Sequence, residues 1–306
     1  MFSSYKALFF KNKTCSLVLN LTPAPYKSFF SNLMIDVLSV FPTLNKELIL
    51  LLKSLKPTDW DKKTVCPDWT IRDIAIHLLD TNLRKLSLGR DGHSYLKNKQ
   101  FATYEELIIY LNQLNADYIN VMRRVNTNIL IEMIEKYQHE LLNYFDELDP
   151  FDRAIFPVKW AGKEHLENWF DIAREYTERW LHQQQIRFAL NDQKLLSREY
   201  YLPFLKTAMQ ALPYTYQKVK ATIGATVKVE IVGDAGSSWV IKREKNNWSF
   251  IDNDADNPDA LVYIDQQIAW LIVSKGIKPM DAQQYYQLHG DTELASHALN
   301  MKSIMA

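Results

Sequence analysis

Residues 66–79 read CPDWTIRDIAIHLL, and the architecture follows from how this stretch is punctuated. Thr70 and Asp73 stand three apart, in the Ser/Thr-x-x-acid order that starts a helix. The hydroxyl can take one free amide of the first turn while the acid reaches back to another. Ile71, Ile74, Ala75, Leu78 and Leu79 then recur at three- and four-residue spacing, the apolar arc of a helix that should run to about Gly89. His77 falls at the edge of that arc, beside the polar face of Asp73 and Arg84. From an edge position a ring can turn into a crevice between packed helices.

The same period extends outward on both sides. Val37, Leu38, Phe41, Leu44, Leu48, Leu51, Leu52 and Leu55 keep it from Ile35 to Lys56, and Pro57 ends it. Further helical patterns cover about 103–125, 128–147 and 166–190, with another near 195–218 perturbed by Pro203 and Pro213. Asp149-Pro150 interrupts the series, and 151–163 reads as an irregular connection. Long helices with mostly short connections predict a helix bundle. Near residue 220 the period becomes two: Val227, Val229 and Ile231 alternate with Lys228 and Glu230. Trp239–Glu244 and Trp248–Ile251 flank Asn246-Asn247 as two strands around a tight turn. A strand at Ala260–Ile264, an apolar helix at Gln266–Ser274 and a last helix after Asp291 complete an α+β unit. The expected fold class is therefore α plus α+β, with a helical domain over 34–218 and a smaller α+β domain over 219–306.

Composition excludes several functions. Of 306 residues, 36 are Lys or Arg and 36 are Asp or Glu, so the chain lacks the basic excess of a nucleic-acid binder. No uninterrupted apolar run reaches the roughly 18 residues of a membrane helix. Two cysteines, Cys15 and Cys66, are too few for a disulfide framework and too far apart for a Cys-based zinc site. A reducing compartment is the simplest reading, so a cytoplasmic protein is expected, binding neither membrane nor nucleic acid. Residues 1–33 carry Lys6, Lys11, Lys13 and Lys27 and no acid, and their apolar stretch Ser16–Leu21 is too short for a signal core. They read as a poorly structured extension. The run Asp252–Asp256 begins like a calcium loop but has Asn257 where glycine is required and Tyr263 where glutamate is required, so it reads as an acidic turn. Gly-rich phosphate loops and a G-x-S-x-G elbow are absent.

In the fifth helix Glu178 and His182 are four apart and stack on one face. A carboxylate and an imidazole so placed can share a cation, and a third ligand from a neighbouring helix would leave one position open, the pattern of catalytic zinc. Iron or nickel accepts the same set. Spacing alone leaves the alternative open that Arg174, four before Glu178, forms an ion pair with it. Periodicity does not establish a pairing with His77.

The segment Cys66–Leu79 resembles the W-T-x-x-D-x-x-x-H-L signature of the mycothiol-dependent maleylpyruvate isomerase family, within the DinB-like superfamily. Ala173–Leu190, AREYTERWLHQQQIRFAL, resembles that family's second signature with its E-x-x-x-H. The resemblance extends over about 34–306. It implies an up-down-down-up helix bundle followed by a sterol-carrier-like α+β domain, with 35–56, 70–89, 103–125 and 166–190 as the four helices and 128–147 as an insertion or a broken continuation of its predecessor. It implies a divalent metal, zinc in most relatives, on His77, Glu178 and His182, and a low-molecular-weight thiol, mycothiol or an analogue, as cofactor. The implied activity is a thiol-dependent isomerase or S-transferase in which a metal-bound thiolate adds to an activated double bond or other electrophile. Lys275 is a candidate contact for an anionic ligand. A non-catalytic metal- and small-ligand-binding protein of the same superfamily is the alternative.

Overall fold

The computed structural model describes residues 34–94, 101–155, 166–252 and 255–301. The expected extension at 1–33, residues 156–163 of the expected connection and Asn253-Asp254 of the acidic turn lie outside the described residues. Five long helices come first: α1 Phe41–Ser54, α2 Ile71–Lys85, α3 Tyr104–Met122, α4 Thr127–Asp146 and α5 Asn168–Ala189. The shorter α6 Arg198–Met209 and α7 Leu212–Thr215 follow.

α2 begins as the sequence predicts. The Thr70 hydroxyl accepts from the Asp73 amide at 3.3 Å, and the Thr70 amide donates to the Asp73 carboxylate at 3.0 Å. Arg123, just past α3, donates to both oxygens of Asp73 at 2.9 Å. Burial alone would raise the Asp73 pKa, but Arg123 and the Thr70 amide and hydroxyl hold it below the usual carboxylate range. The α-helix ends at Lys85, earlier than the apolar pattern suggested, and passes into a π turn, Leu86–Arg90. A Cβ on Gly89 would lie 2.6 Å from the Tyr144 hydroxyl, so glycine lets this turn press against α4.

The ring of packed helices differs from the expected four. α1 packs on α4 and α5, α2 packs on α4 and α5, and α3 leans on α2 from outside. The segment at 128–147 is thus a full member, and that at 103–125 is the addition. Burial gives the reason. α4 buries Leu130, Ile131, Ile134, Leu141, Tyr144 and Phe145 along one stripe. α3 fully buries Ile119 and Met122, near its C-terminal end, and leaves Ile109 and Val121 exposed. Both helices are periodic in sequence, and periodicity does not say how much of a stripe finds a partner.

The α+β region holds β1 Thr226–Val232, β2 Ser237–Arg243, β3 Trp248–Phe250, β4 Ala260–Asp265, α8 Gln266–Val273, β5 Tyr286–Gly290 and α9 Thr292–Ser296. The sheet order is β3-β2-β1-β4-β5. β1 and β4 are parallel, with Val229 opposite Val262, and the other neighbours are antiparallel. Asn246-Asn247 forms the expected turn, closed by the Glu244 amide donating to the Asn247 carbonyl at 2.8 Å. β5 was not anticipated; its Gln287, His289 and Gly290 give no apolar alternation.

The two regions share one apolar core. Trp180 of α5 is fully buried and stacks on Tyr201 of α6, with centroids 4.7 Å apart and planes 4° from parallel. Phe204 lies 4.1 Å from Trp180, and Trp270 of α8 meets it edge-on at 6.4 Å. The Tyr201 hydroxyl donates to the Gln266 carbonyl at 3.0 Å and accepts from the Trp270 amide at 2.9 Å. One face of α5 is thereby rooted in the sheet region, which leaves another for the site.

Thr70→Ala is expected to cost about 1 kcal/mol through loss of the helix cap. Asp73→Asn should cost more, because the Arg123 clamp goes with it. Since the folded pKa of Asp73 lies below its unfolded value, its contribution is complete above the unfolded pKa and disappears as pH falls through the folded one. The Asp73→Asn protein should therefore lose less stability on acidification than wild type, as urea unfolding at neutral and acidic pH will measure.

Candidate metal centre

α2 and α5 lie side by side and bring together the three residues singled out from sequence. The Oε1 atom of Glu178 lies 3.3 Å from His77 Nε2 and 3.1 Å from His182 Nε2. One potential ligand atom from each residue lies within 4.8 Å of the others, the one such trio among the described residues. The His77 and His182 rings meet nearly edge to face, with centroids 4.7 Å apart. Trp69, from the turn before α2, covers both, 4.8 Å from His77 and 5.9 Å from His182. His77 is 5% exposed and His182 8%, whereas the Glu178 side chain keeps 29%, so the cluster opens to solvent on the carboxylate side.

Burial pushes the pKa of His77 down to about 4 against the pull of Glu178. Burial would raise that of Glu178, but His182 and His77 together hold it well below the usual carboxylate range. The apo site thus pairs an ionised carboxylate with a neutral buried imidazole. Arg174, the alternative partner for Glu178, instead donates to Asp171 at 3.1 Å.

The donor set fits a divalent cation. His182 Nδ1 lies 2.8 Å from the Gln185 Oε1 acceptor, so a single ring proton placed there leaves a bare lone pair at Nε2. That lone pair faces an anionic oxygen that a second imidazole nitrogen also approaches. With Nε2 of both imidazoles free of protons, as ligation requires, three lone-pair donors would face one another, and a cation between them would satisfy all three. In a tetrahedral site with bonds of about 2.0–2.1 Å, neighbouring donors stand roughly 3.4 Å apart. The distances from Glu178 Oε1 are close to that edge.

Beneath the trio the helices share a buried ionic network. Lys85 Nζ lies 2.5 Å from Asp171 and 3.1 Å from Glu175. Arg179 donates to Asn82, and burial lowers the Arg179 pKa to about 10, with Glu175 and Glu178 opposing. Trp69, Gln185, Lys85 and Arg179 were not singled out from sequence. The signals available were a tryptophan inside the quoted motif and the triplet Gln183-Gln184-Gln185 in a helix that is buried on most sides. Cys66 is free, and burial pushes its thiol up to about 12, with the Glu178 and Asp68 charges adding, so it is an inert packing residue. Lys275 is exposed, just beyond α8 and in the left-handed region at φ 59°, and is not part of this cluster.

Residues 41–187 match the family model described as the mycothiol maleylpyruvate isomerase N-terminal domain. That span is just under half of the chain, runs from the first residue of α1 almost to the end of α5, and contains all three residues of the trio. Among solved structures, the chain is similar to a crystal structure of the mycothiol-dependent maleylpyruvate isomerase, at 9% identity and a TM-score of 0.47, over 77% of this chain and 86% of that one. A mutant of that isomerase matches at 10% identity and a TM-score of 0.43, over 82% and 90%. No curated protein matches the chain.

Lys85→Ala is expected to cost about 3 kcal/mol, since removing the cation strands Asp171 in the interior while Glu175, 22% exposed, regains some water. Denaturant unfolding of the variant beside wild type measures it.

Proposed function

We propose that the chain is a member of the maleylpyruvate isomerase family that binds one divalent metal, zinc by preference, through His77, Glu178 and His182. Its reaction is a thiol-dependent isomerisation or S-transfer. The observation that carries this reading is the shared Oε1 of Glu178, approached by two buried imidazole nitrogens at 3.1 and 3.3 Å and open on one side. The family match over the same helices supports it.

Bound at such a set, a divalent cation supplies a Lewis acid and favours the thiolate form of a coordinating thiol. The side chains do the rest. Two neutral imidazoles and one carboxylate place a single negative charge around a dication, so a second anion is welcome and a third is not. Trp69 closes the side over both rings and keeps bulk water from the imidazoles, while the exposed edge of Glu178 marks the way in. The substrate is a small electrophile with a double bond conjugated to a carbonyl. Addition of the thiol makes that bond single, rotation follows, and expulsion of the thiol restores it in the trans form. A reaction that stops after addition is an S-transfer. Neither course needs a protein nucleophile, which agrees with the inert Cys66 thiol.

Purified protein is expected to carry about one divalent ion per chain, and His77→Ala, Glu178→Ala and His182→Ala to lose it, as elemental analysis will show. Equal metal in all four proteins would overturn the assignment. With mycothiol or another small thiol supplied, turnover of a maleyl-type substrate should disappear in His182→Ala and on chelation.

A further inference from the structure

The two imidazoles of the trio are held in different ways. His77 Nδ1 is buried and has no hydrogen-bond partner among the protein atoms, so its ring is placed by the Trp69 face, the edge contact with His182 and Glu178. His182 has a polar partner on each nitrogen: Glu178 at Nε2 and the Gln185 carboxamide oxygen at Nδ1, 2.8 Å away. Gln185 stands three residues on from His182 in α5, so the helix itself sets the pairing. Both residues are buried, at 9% and 8% exposed, and water does not compete freely for either nitrogen.

The consequence concerns where a single proton sits. A neutral imidazole has one N–H and one lone pair. An acceptor stands at each nitrogen of His182, and the two choices differ in effect. A proton on Nε2 would point at Glu178 and occupy the lone pair that faces the trio's centre. A proton on Nδ1 is taken by Gln185 and leaves Nε2 free. A carboxamide presenting oxygen has no competing role there, and metal-bound imidazoles characteristically donate their second N–H to such a group.

We infer that Gln185 is a positioning residue: it accepts the His182 Nδ1–H when a cation takes Nε2, and so favours the tautomer that ligation requires. The inference rests on the function proposed above, since without a cation the Glu178 carboxylate competes for the same proton at Nε2. His77, without such a partner, is the weaker-held of the two imidazoles.

The test uses full-length protein with Gln185→Met, similar in length but without an acceptor, and Gln185→Glu, which keeps one. In zinc-loaded wild type, long-range proton–nitrogen spectra should show the His182 proton on Nδ1, slow to exchange with solvent. In zinc-loaded Gln185→Met that proton loses its acceptor and should exchange faster, and in Gln185→Glu it should stay slow. By competition with a chromophoric chelator, zinc should bind about 10- to 100-fold more weakly to Gln185→Met. Gln185→Glu should bind at least as tightly as wild type. Unweakened zinc binding in Gln185→Met, or equal weakening in both variants, overturns the inference; the second result would reduce Gln185 to packing. A wild type that binds zinc no better than His182→Ala would overturn the metal reading instead.

Discussion

One carboxylate oxygen, Glu178 Oε1, lies between two buried imidazoles, and the arrangement of α2 and α5 answers to that contact. It is an awkward one to build. A buried anion costs free energy unless it is compensated, and neutral imidazoles compensate it only by donating protons or by sharing a cation with it. The helix pair is therefore held from several other directions. Thr70, Asp73 and Arg123 fix the start of α2, Lys85 ties its end to Asp171 and Glu175, and Trp69 closes over the rings.

α5 shows how much the chain commits to this. Most of its residues are buried, yet Asp171, Arg179, His182, Gln183, Gln184, Gln185 and Arg187 are among them. An ordinary helix in that position would be apolar all round. The buried apolar residues are Phe170, Ile172, Ala173, Tyr176, Trp180, Leu181 and Ile186, and Trp180 among these does the anchoring. The unsatisfied Arg179 Nη1 and Asn82 Nδ2 show that the interior is not fully reconciled by protein groups alone. Such departures from local consistency gather where a protein has chemistry to support.

Much of this was legible in the residues. Caps, breaks and period located the long helices to within a few positions, alternation located β1, the Asn246-Asn247 turn located β2 and β3, and a strand was expected where β4 lies. The helical region followed by an α+β region is as expected. The membership of the helix ring was not legible, because Leu107, Ile108 and Leu111 of α3 also recur at helical spacing, as the stripe of α4 does, and find less to pack against. The E-x-x-x-H spacing put Glu178 and His182 on one face, but their approach to His77 is a contact between residues about a hundred positions apart, which no local pattern encodes. The resemblance supplied it and the geometry brings the residues together. Gln185 escaped notice because glutamine at a helical position is unremarkable until its burial is known.

Trp180 sits two residues after Glu178 and two before His182, and its ring is wedged between Tyr201, Phe204 and Trp270. The segment that bears Glu178 and His182 and the segment that bears the anchor are the same turn of helix. Cutting the chain where the matched family region ends, at residue 187, would strip away all three of those aromatic partners. The fragment would keep every donor atom of the trio and lose the wall that sets their spacing. In this chain the candidate site lies in one half, and the packing that holds it in shape is supplied by the other.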